Sequence, residues 1–557
     1  MKITGSQAVI ESLLKEKVKV IFGYPGGANM PIYDALYNYK KKMRHVLVRH
    51  EQGATHAAEG YARVTGKAGV CFATSGPGAT NLITGIADAM MDSVPMVCIT
   101  GQVASHLIGT DAFQETDVIG ITAPITKWNY QITKAEEIPQ VFAKAFFIAQ
   151  NGRPGPVVID ITKDAQFKIF DFKYPKNYQI KKLMLPTPSE KAVKQAALMI
   201  NEAKKPFMII GHGALISKAS QTLIKISEKS GVPMAVTLHG IGAVSSQHKN
   251  YVGMVGMHGH YSPNILTNQA DVIIAVGMRF DDRVTSTIAT YAPHAKIIHI
   301  DIDASEINKN IKSYLGIVGD ANTVLKKIFA YVKKNNHRDW LNEFKKLKIH
   351  AKKIVDKQPK RPGITQQEVI SMISDKTHGE AIIVADVGQN QMFSARFYQY
   401  KNPNSYITSG GLGTMGFALP ASMGAKIAAP KTPVIAVIGD GGFQMTIQEL
   451  GTIFQEKLPI KILILNNEYL GMVRQWQELF FEKRYSFTHL VNPDFIAISK
   501  GYGIPAKLVT EKNKLEKAID NFLNTGGPTL LEVKVEKENN IFPMIPSGAA
   551  VDEIRIE

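Results

Sequence analysis

Short apolar strands that end on glycine-rich turns alternate with helical stretches along most of this chain. That alternation commits it to an α/β architecture of parallel sheets. Three such blocks follow one another. The first, residues 1–165, contains the strand-like runs Val18-Lys19-Val20-Ile21-Phe22, Ala68-Gly69-Val70-Cys71-Phe72-Ala73, Pro95-Met96-Val97-Cys98-Ile99 and Pro156-Val157-Val158-Ile159-Asp160. The second, residues 188–332, opens on a helical pattern at 189–203 and contains Pro206-Phe207-Met208-Ile209-Ile210-Gly211 and Asp271-Val272-Ile273-Ile274-Ala275-Val276-Gly277. The third covers residues 362–557. Two lysine-rich stretches, 166–186 and 333–361, read as connectors between the blocks. A chain of 557 residues exceeds what one core can fill and suits three domains.

In the third block the strand Val434-Ile435-Ala436-Val437-Ile438 runs into Gly439-Asp440-Gly441-Gly442, and a second strand, Ile462-Leu463-Ile464-Leu465, ends on Asn466-Asn467. Gly-Asp-Gly alone is a common turn. A second strand tip ending on Asn-Asn at this separation changes its meaning, because the pair resembles the signature of thiamine pyrophosphate (TPP) enzymes. Each tip would deliver one oxygen ligand, the Asp440 carboxylate and the Asn467 amide oxygen. The glycines between them leave backbone N–H groups free to approach a diphosphate closely. Mg²⁺, which prefers hard oxygen ligands and shares its shell with substrate phosphates, suits such a site.

The first block supplies a candidate acid. His50-Glu51-Gln52-Gly53 follows the strand Val46-Leu47-Val48, which sets Glu51 just past a strand tip, where open α/β sheets bind ligands. A glutamate there also suits a helix N-terminus through the dipole alone. Beside a TPP motif it has a further use: the cofactor needs one carboxylate on its aminopyrimidine, held in an apolar pocket that raises its pKa.

The chain carries 65 basic and 48 acidic residues, a formal charge of +17, which raises the question of nucleic acid. The lysines are spread over helix faces and connectors without interleaved aromatics or zinc-finger spacing, so no nucleic-acid partner is expected and the surface favours anionic substrates in general. No apolar run approaches the roughly 18 residues that cross a bilayer, and Met1 to Ser6 lead directly into an amphipathic pattern without a signal segment; the expected location is cytoplasmic, with no membrane partner. Cys71 and Cys98 sit in apolar runs and read as small buried hydrophobes. Thr74-Ser75-Gly76 in the first block and Thr408-Ser409-Gly410 in the third hint at a duplication.

Further motifs extend the resemblance over essentially the whole chain. Gly23-Tyr24-Pro25-Gly26-Gly27, His50-Glu51-Gln52-Gly53, Thr74 to Asn81, Asp111-Ala112-Phe113-Gln114-Glu115, Gly256-Met257-His258-Gly259, Arg279-Phe280-Asp281-Asp282-Arg283, residues 409–417 and Leu470-Gly471-Met472-Val473-Arg474-Gln475-Trp476 resemble, in order, the large catalytic subunit of acetolactate synthase (acetohydroxyacid synthase). The resemblance implies a TPP pyrimidine-binding domain, a central FAD-binding domain and a TPP diphosphate-binding domain. It implies a homodimer or tetramer whose active site lies between subunits, Glu51 from one and the Asp440 motif from the other, and a small regulatory subunit as partner. The implied reaction decarboxylates pyruvate on TPP and condenses the hydroxyethyl carbanion with pyruvate or 2-oxobutyrate, giving 2-acetolactate or 2-aceto-2-hydroxybutyrate for valine, leucine and isoleucine. A pyruvate oxidase-like TPP/FAD enzyme is the alternative.

Carried over residue by residue, the resemblance assigns the diphosphate to Gln389, Asn390, Gly441 and Gly442. Met415 becomes the wedge that bends the cofactor, Gly27 and Met472 become further cofactor contacts, and the Tyr469 carbonyl completes the metal shell of Asp440 and Asn467. Phe113, Gln114 and Lys163 would line the substrate pocket, Arg283 would meet the acceptor's carboxylate, and Trp476 would favour the larger acceptor. Arg283 could instead pair with Asp281 or Asp282. For FAD the matching positions are Arg153, Gly211, Gly213, Thr237, Leu238 and Met257, followed by His258, Gly277, Arg279, Asp301 and Asp320. The chain departs from the family's pattern at Asn390, where histidine is usual, at His212, which interrupts a glycine run, and at Ala104, where proline is common.

Overall fold

The computed structural model describes residues 1–175, 187–357 and 361–557. Three six-stranded sheets organise them, and every neighbouring pair within each sheet is parallel. The first sheet uses Val20–Gly23, Arg44–Leu47, Gly69–Ala73, Met96–Gln102, Trp128–Ile132 and Pro156–Thr162, which lie side by side in the order 2-1-3-4-6-5 when numbered along the chain. The third sheet, Ile382–Ala385, Tyr406–Thr408, Val434–Gly439, Ile460–Asn466, Ala506–Val509 and Thr529–Lys534, repeats that order. The central sheet, Pro206–Ile210, Met234–Val236, Tyr251–Met254, Val272–Val276, Lys296–Asp301 and Leu315–Val318, has the order 3-2-1-4-5-6 of dinucleotide-binding folds.

Helices cover both faces of a parallel sheet, so its inner strands read as unbroken apolar runs. Ile460–Asn466 is buried along its whole length, and Val434–Gly439 is buried up to its last residue. Cys71 and Cys98 face each other in register on neighbouring buried strands and are free thiols.

The repeated strand order, rather than the Thr-Ser-Gly match, carries the signal of duplication. Thr74-Ser75-Gly76 follows the third strand of its sheet, whereas Thr408 ends the second strand of the other. The positional counterpart of Thr74-Ser75-Gly76 is therefore Gly439-Asp440-Gly441. The two units also share their tightest helix contact. Helix Glu51–Thr65 crosses helix Ala418–Ala428 so closely that a Cβ on Gly60 would lie 2.0 Å from the Ala421 carbonyl oxygen and one on Gly424 1.8 Å from that of Ala57.

Both expected connectors contain structure. Ile169–Asp171 pairs antiparallel with Lys2–Thr4, and residues 176–186 lie outside the described residues. Residues 338–357 form a 20-residue helix, Arg338–Lys357, whose Trp340, Phe344 and Ala351 are buried. Trp340 and Phe344 join Phe207 and Ile273 in the core of the central unit, and the Trp340 indole N–H donates to the Pro206 carbonyl at 2.9 Å. Residues 358–360 of that stretch are outside the described residues. The chain end returns to the same core, contributing Ile545, Val551 and Ile554. Among the described residues, no helix is long and apolar enough to cross a membrane.

Candidate active site

Outside the C-terminal ends of the third sheet's strands, where α/β sheets bind their ligands, lies a cavity of about 640 Å³ shared with the central unit. Gly439 pairs with Leu465 in register, so the two neighbouring strands end level and present Asp440 and Asn467 to the same space. The Asn492 amide N–H donates to Asp440 Oδ2 at 2.7 Å and reaches Asn466 Oδ1 at 3.2 Å, tying the two tips together. Asn467 Oδ1 accepts the Tyr469 backbone N–H at 3.1 Å, a turn that folds Tyr469 back toward the cavity it lines. Burial pushes the Asp440 carboxyl up to about 6, against the hydrogen bond from Asn492. No lysine or arginine pairs with it among the described residues. A buried carboxylate beside an amide oxygen and a backbone carbonyl, with Lys534 paired to Glu468 instead, is a donor set that fits Mg²⁺.

Beside these ligands the backbone is shaped for an anion. Gly388, at φ 136°, precedes helix Gln389–Phe397, whose first N–H groups open on the cavity. The Asn390 side chain is turned away, donating to the Asp386 and Val437 carbonyls at 2.8 and 3.2 Å, which leaves its main chain for a ligand. A Cβ on Gly442 would sit 2.5 Å from Asp386 Oδ1, so glycine is required there by close packing.

Met415 lies on a loop pinned at both ends. Asp386, buried below the cavity, accepts the Gly416 and Ala418 N–H groups at 3.0 and 2.9 Å. At the other end two acids of helix Ile83–Asp92, from the first unit, hold residues 409–411. The Ser409 hydroxyl donates to Asp88 Oδ1 at 2.8 Å, and Asp92 accepts the Gly410 and Gly411 N–H groups at 3.0 and 2.8 Å. Arg63 donates to Asp92 at 2.6 Å, and His239 Nε2 lies 3.0 Å from its other oxygen. Burial favours the neutral acid, but His239 and Arg63 outweigh it and hold the Asp92 carboxyl below the usual carboxylate range. A Cβ on Gly410 would meet His239 Nε2 at 2.1 Å. From this loop the Met415 Cε reaches to 3.5 Å of the Cβ position of Gly441.

Met472 and Trp476, on helix Gly471–Phe480, face the same cavity, as do Thr237, Leu238, Met257, His258, Arg279 and Arg283 of the central unit. Arg283 pairs loosely with Asp282, Nε to Oδ2 3.6 Å, and both side chains are largely exposed; Arg279 takes Asp281 at 3.3 Å. A second cavity of about 310 Å³ adjoins the first along Thr237, Met91 and Arg279 and is lined by Arg153, Gly213, Gly277, Asp301 and Asp320. Asp301 stands at a strand tip of the dinucleotide-ordered sheet, where a carboxylate can take ribose hydroxyls. The second cavity, which opens on the first, suits part of an elongated dinucleotide such as FAD. Gly211 lines neither: its Cβ would meet the Gly277 carbonyl oxygen at 2.2 Å, so it serves backbone packing. His212, which interrupts the glycine run, turns toward the first unit, Nδ1 3.0 Å from the Asp92 carbonyl oxygen.

Five candidates stand apart. Gly27, Glu51, Phe113, Gln114 and Lys163 all belong to the first unit, and none lines either cavity within one chain. Glu51 is buried at the first position of its helix, where Oε2 accepts the Asn81 amide at 2.9 Å. Phe113 is 88% exposed, and Gln114 sits at φ 61° beside it. Sequence reasoning missed Asp386, Asn492, Asp88 and Asp92. Asp386 carried a usable signal, since it ends the apolar strand Ile382–Ala385 much as Asp440 follows its own strand.

Comparison with known proteins agrees in every part of the chain. Thiamine pyrophosphate enzyme families match in order: the N-terminal TPP binding domain over residues 3–121, the central domain over 193–328 and the C-terminal TPP binding domain over 386–533. The chain is 44% identical to the acetolactate synthase isozyme 2 large subunit of Escherichia coli (strain K12), over 99% of both chains. It is 46% identical to the acetolactate synthase large subunit of Corynebacterium glutamicum, over all of this chain and 90% of that one. It is also 46% identical to the probable acetolactate synthase large subunit of Methanocaldococcus jannaschii, over 99% of this chain and 96% of that one.

Proposed function

The chain belongs to the acetolactate synthase large-subunit family of TPP-dependent enzymes, and from that premise we propose how its residues divide the work. It is the catalytic subunit of an acetolactate synthase in branched-chain amino acid biosynthesis. The reaction joins the two-carbon unit left by decarboxylation of pyruvate to a second pyruvate or to 2-oxobutyrate.

TPP, when bound, supplies the nucleophilic carbon that carries this unit. Asp440, Asn467 and the Tyr469 carbonyl hold Mg²⁺, while main-chain groups of Gln389, Asn390, Gly441 and Gly442 hold the diphosphate. Met415, on its doubly pinned loop, would pack against the bound cofactor, with Met472 beside it. The single observation that carries this reading is the convergence of the Asp440 and Asn467 strand tips with Met415, Arg283 and Trp476 on one cavity. Arg283, free of any tight ion pair, offers its planar fork to the acceptor's carboxylate. Trp476 gives the extra methyl of 2-oxobutyrate an apolar surface.

A second copy of the chain completes the site. Its Glu51 would serve as the acid or base at the aminopyrimidine, its Gly27 would contact the cofactor, and its Phe113, Gln114 and Lys163 would close over the substrates. The support is that none of these five residues lines a cavity of its own chain and that Phe113 is almost fully exposed. FAD would be held as a structural group by Arg153, Gly213, Gly277, Asp301 and Asp320 of the second cavity, with Arg279 at the junction and Met257 and His258 in the first cavity. The relatives' designation as large subunits supports a small regulatory partner. A cytoplasmic location accords with two free, buried cysteines. The test supplies pyruvate, TPP and Mg²⁺ and measures acetolactate with and without FAD: product must form in the wild type and be lost in Glu51→Gln. A wild type that forms none overturns the reading.

A further inference from the structure

Glu51 opens its helix, yet the backbone leading into it is held from another unit of the chain. Glu449 ends the short 3-10 turn Ile447–Glu449, which follows helix Asp440–Met445. It is 0% exposed. Its Oε1 accepts two successive backbone N–H groups, Arg49 at 3.0 Å and His50 at 3.1 Å. Its Oε2 accepts the Thr452 hydroxyl at 2.7 Å. Around this contact the Arg49 guanidinium donates to the Leu47 carbonyl at 2.9 Å and to Gln455 Oε1 at 2.8 Å, so the turn 47–50 of the first unit is embraced by 449–455 of the third. Gly53, one turn into the Glu51 helix, leaves the room: a Cβ there would stand 2.5 Å from Glu449 Oε1.

Two consecutive N–H groups converging on one carboxylate oxygen fix the direction of the chain more firmly than either bond alone. The helix begins at the next residue. His50 is its N-cap, with Nδ1 accepting the Gln52 N–H at 3.2 Å, and Glu51 is the first helical residue. The position of the Glu51 carboxylate therefore follows from where Glu449 holds residues 49 and 50.

We propose that Glu449 is a positioning residue for the reaction: it fixes the backbone of residues 49–50 so that Glu51 meets the aminopyrimidine in register. The proposal rests on the reading of Glu51 as the proton-moving acid. Burial pushes the Glu449 carboxyl up to about 7, against the bonds from Thr452, Arg49 and His50, so an amide of the same shape can serve in its place. In Glu449→Gln the amide oxygen keeps both N–H groups, and the amide nitrogen donates to the Thr452 oxygen. Glu449→Ala leaves both N–H groups without their acceptor and frees the turn to shift. A misplacement of about 1 Å can cost on the order of 100-fold in rate.

The experiment uses the full-length enzyme with TPP and Mg²⁺ and follows exchange of the C2 proton of bound TPP in D₂O by acid quench and NMR, the step that Glu51 serves. Steady-state kcat, KM for pyruvate and calorimetric TPP affinity are measured beside it. Glu449→Ala is expected to slow exchange and kcat together by about 100-fold, with TPP affinity and KM within about threefold, and Glu449→Gln is expected to restore exchange to within about threefold. Exchange at the wild-type rate in Glu449→Ala overturns the proposal, as does a loss that appears in TPP affinity instead of exchange. Should Glu449→Ala fail to fold, Glu449→Asp, shorter by one methylene, is measured the same way; slowed exchange supports the proposal and wild-type exchange overturns it. Glu51→Gln separates the two ideas: if that variant exchanges like the wild type, the assignment of Glu51 falls, whatever Glu449 does.

Discussion

Replacing Asp92 with asparagine tests whether the first unit sets the geometry of the cofactor loop. The Asp92 side chain is 1% exposed and each of its oxygens faces two donors, Arg63 and the Gly410 N–H on one side, His239 and the Gly411 N–H on the other. An asparagine brings one oxygen and one NH₂, so either orientation sets donor against donor on one side, and Arg63, itself 6% exposed, loses its closest counter-charge. Removing one member of a buried pair costs about 3–5 kcal/mol. The chain can relieve most of this by letting residues 409–411 lift from helix Ile83–Asp92, since of the side-chain bonds described between that helix and the loop only Ser409 to Asp88 then remains. Cofactor binding must dock the loop again, because Met415 lies on it. A cost of about 3 kcal/mol then weakens TPP binding by about 100-fold. The assay is isothermal titration of the Asp92→Asn protein with TPP at saturating Mg²⁺, after thermal melting and size-exclusion chromatography establish that it is folded. A folded variant that binds TPP within about threefold of wild type would refute the reasoning.

Other outcomes follow from the same geometry. Trp476→Leu is expected to lower the preference for 2-oxobutyrate over pyruvate by about 10-fold or more while leaving turnover of pyruvate alone largely intact; competition between the two acceptors gives the ratio, and an unchanged ratio counts against the assignment. Ala104 sits at φ −60°, a conformation proline shares, so Ala104→Pro is expected to fold normally with an unchanged or raised melting temperature; a clear drop in thermal melting rejects this. Burial pushes Asp160 up to about 6 despite bonds from Thr100, Gln131 and Gln102. The folded chain therefore keeps a proton that the unfolded chain has released, and this contribution to stability is full below about pH 4 and lost as pH rises through about 6. Denaturation midpoints across that window should fall less with rising pH in Asp160→Asn than in wild type, and identical slopes would contradict the assignment.

Much of the site was legible because parallel sheets put ligand residues at strand tips, and strand tips can be read as apolar runs that end in glycine, aspartate or asparagine. Asp440 and Asn467 carry that mark. Asp386 carries half of it, without flanking glycines. Asp92 and Glu449 carry none: they lie in helical and turn segments, and their partners, Gly410 with Gly411 and Arg49 with His50, are hundreds of residues away along the chain. Helix Arg338–Lys357 was hidden for a different reason. Its buried Trp340, Phe344 and Ala351 keep helical spacing, but the surrounding lysines make the stretch look like a solvated connector. Glu51 and Asp440 do not share a cavity within one chain, so the proposed site needs a second copy to bring them together.

That meeting can be measured by mixing two inactive proteins. Glu51→Gln and Asp440→Ala proteins are combined, dissociated and reassociated, and acetolactate formation is assayed. If each site draws Glu51 from one copy and Asp440 from the other, a hybrid dimer holds one site with both defects and one site with none, and random pairing restores about a quarter of wild-type activity. If both residues serve a site within their own chain, every site in the hybrid keeps one defect, and the mixture stays inactive.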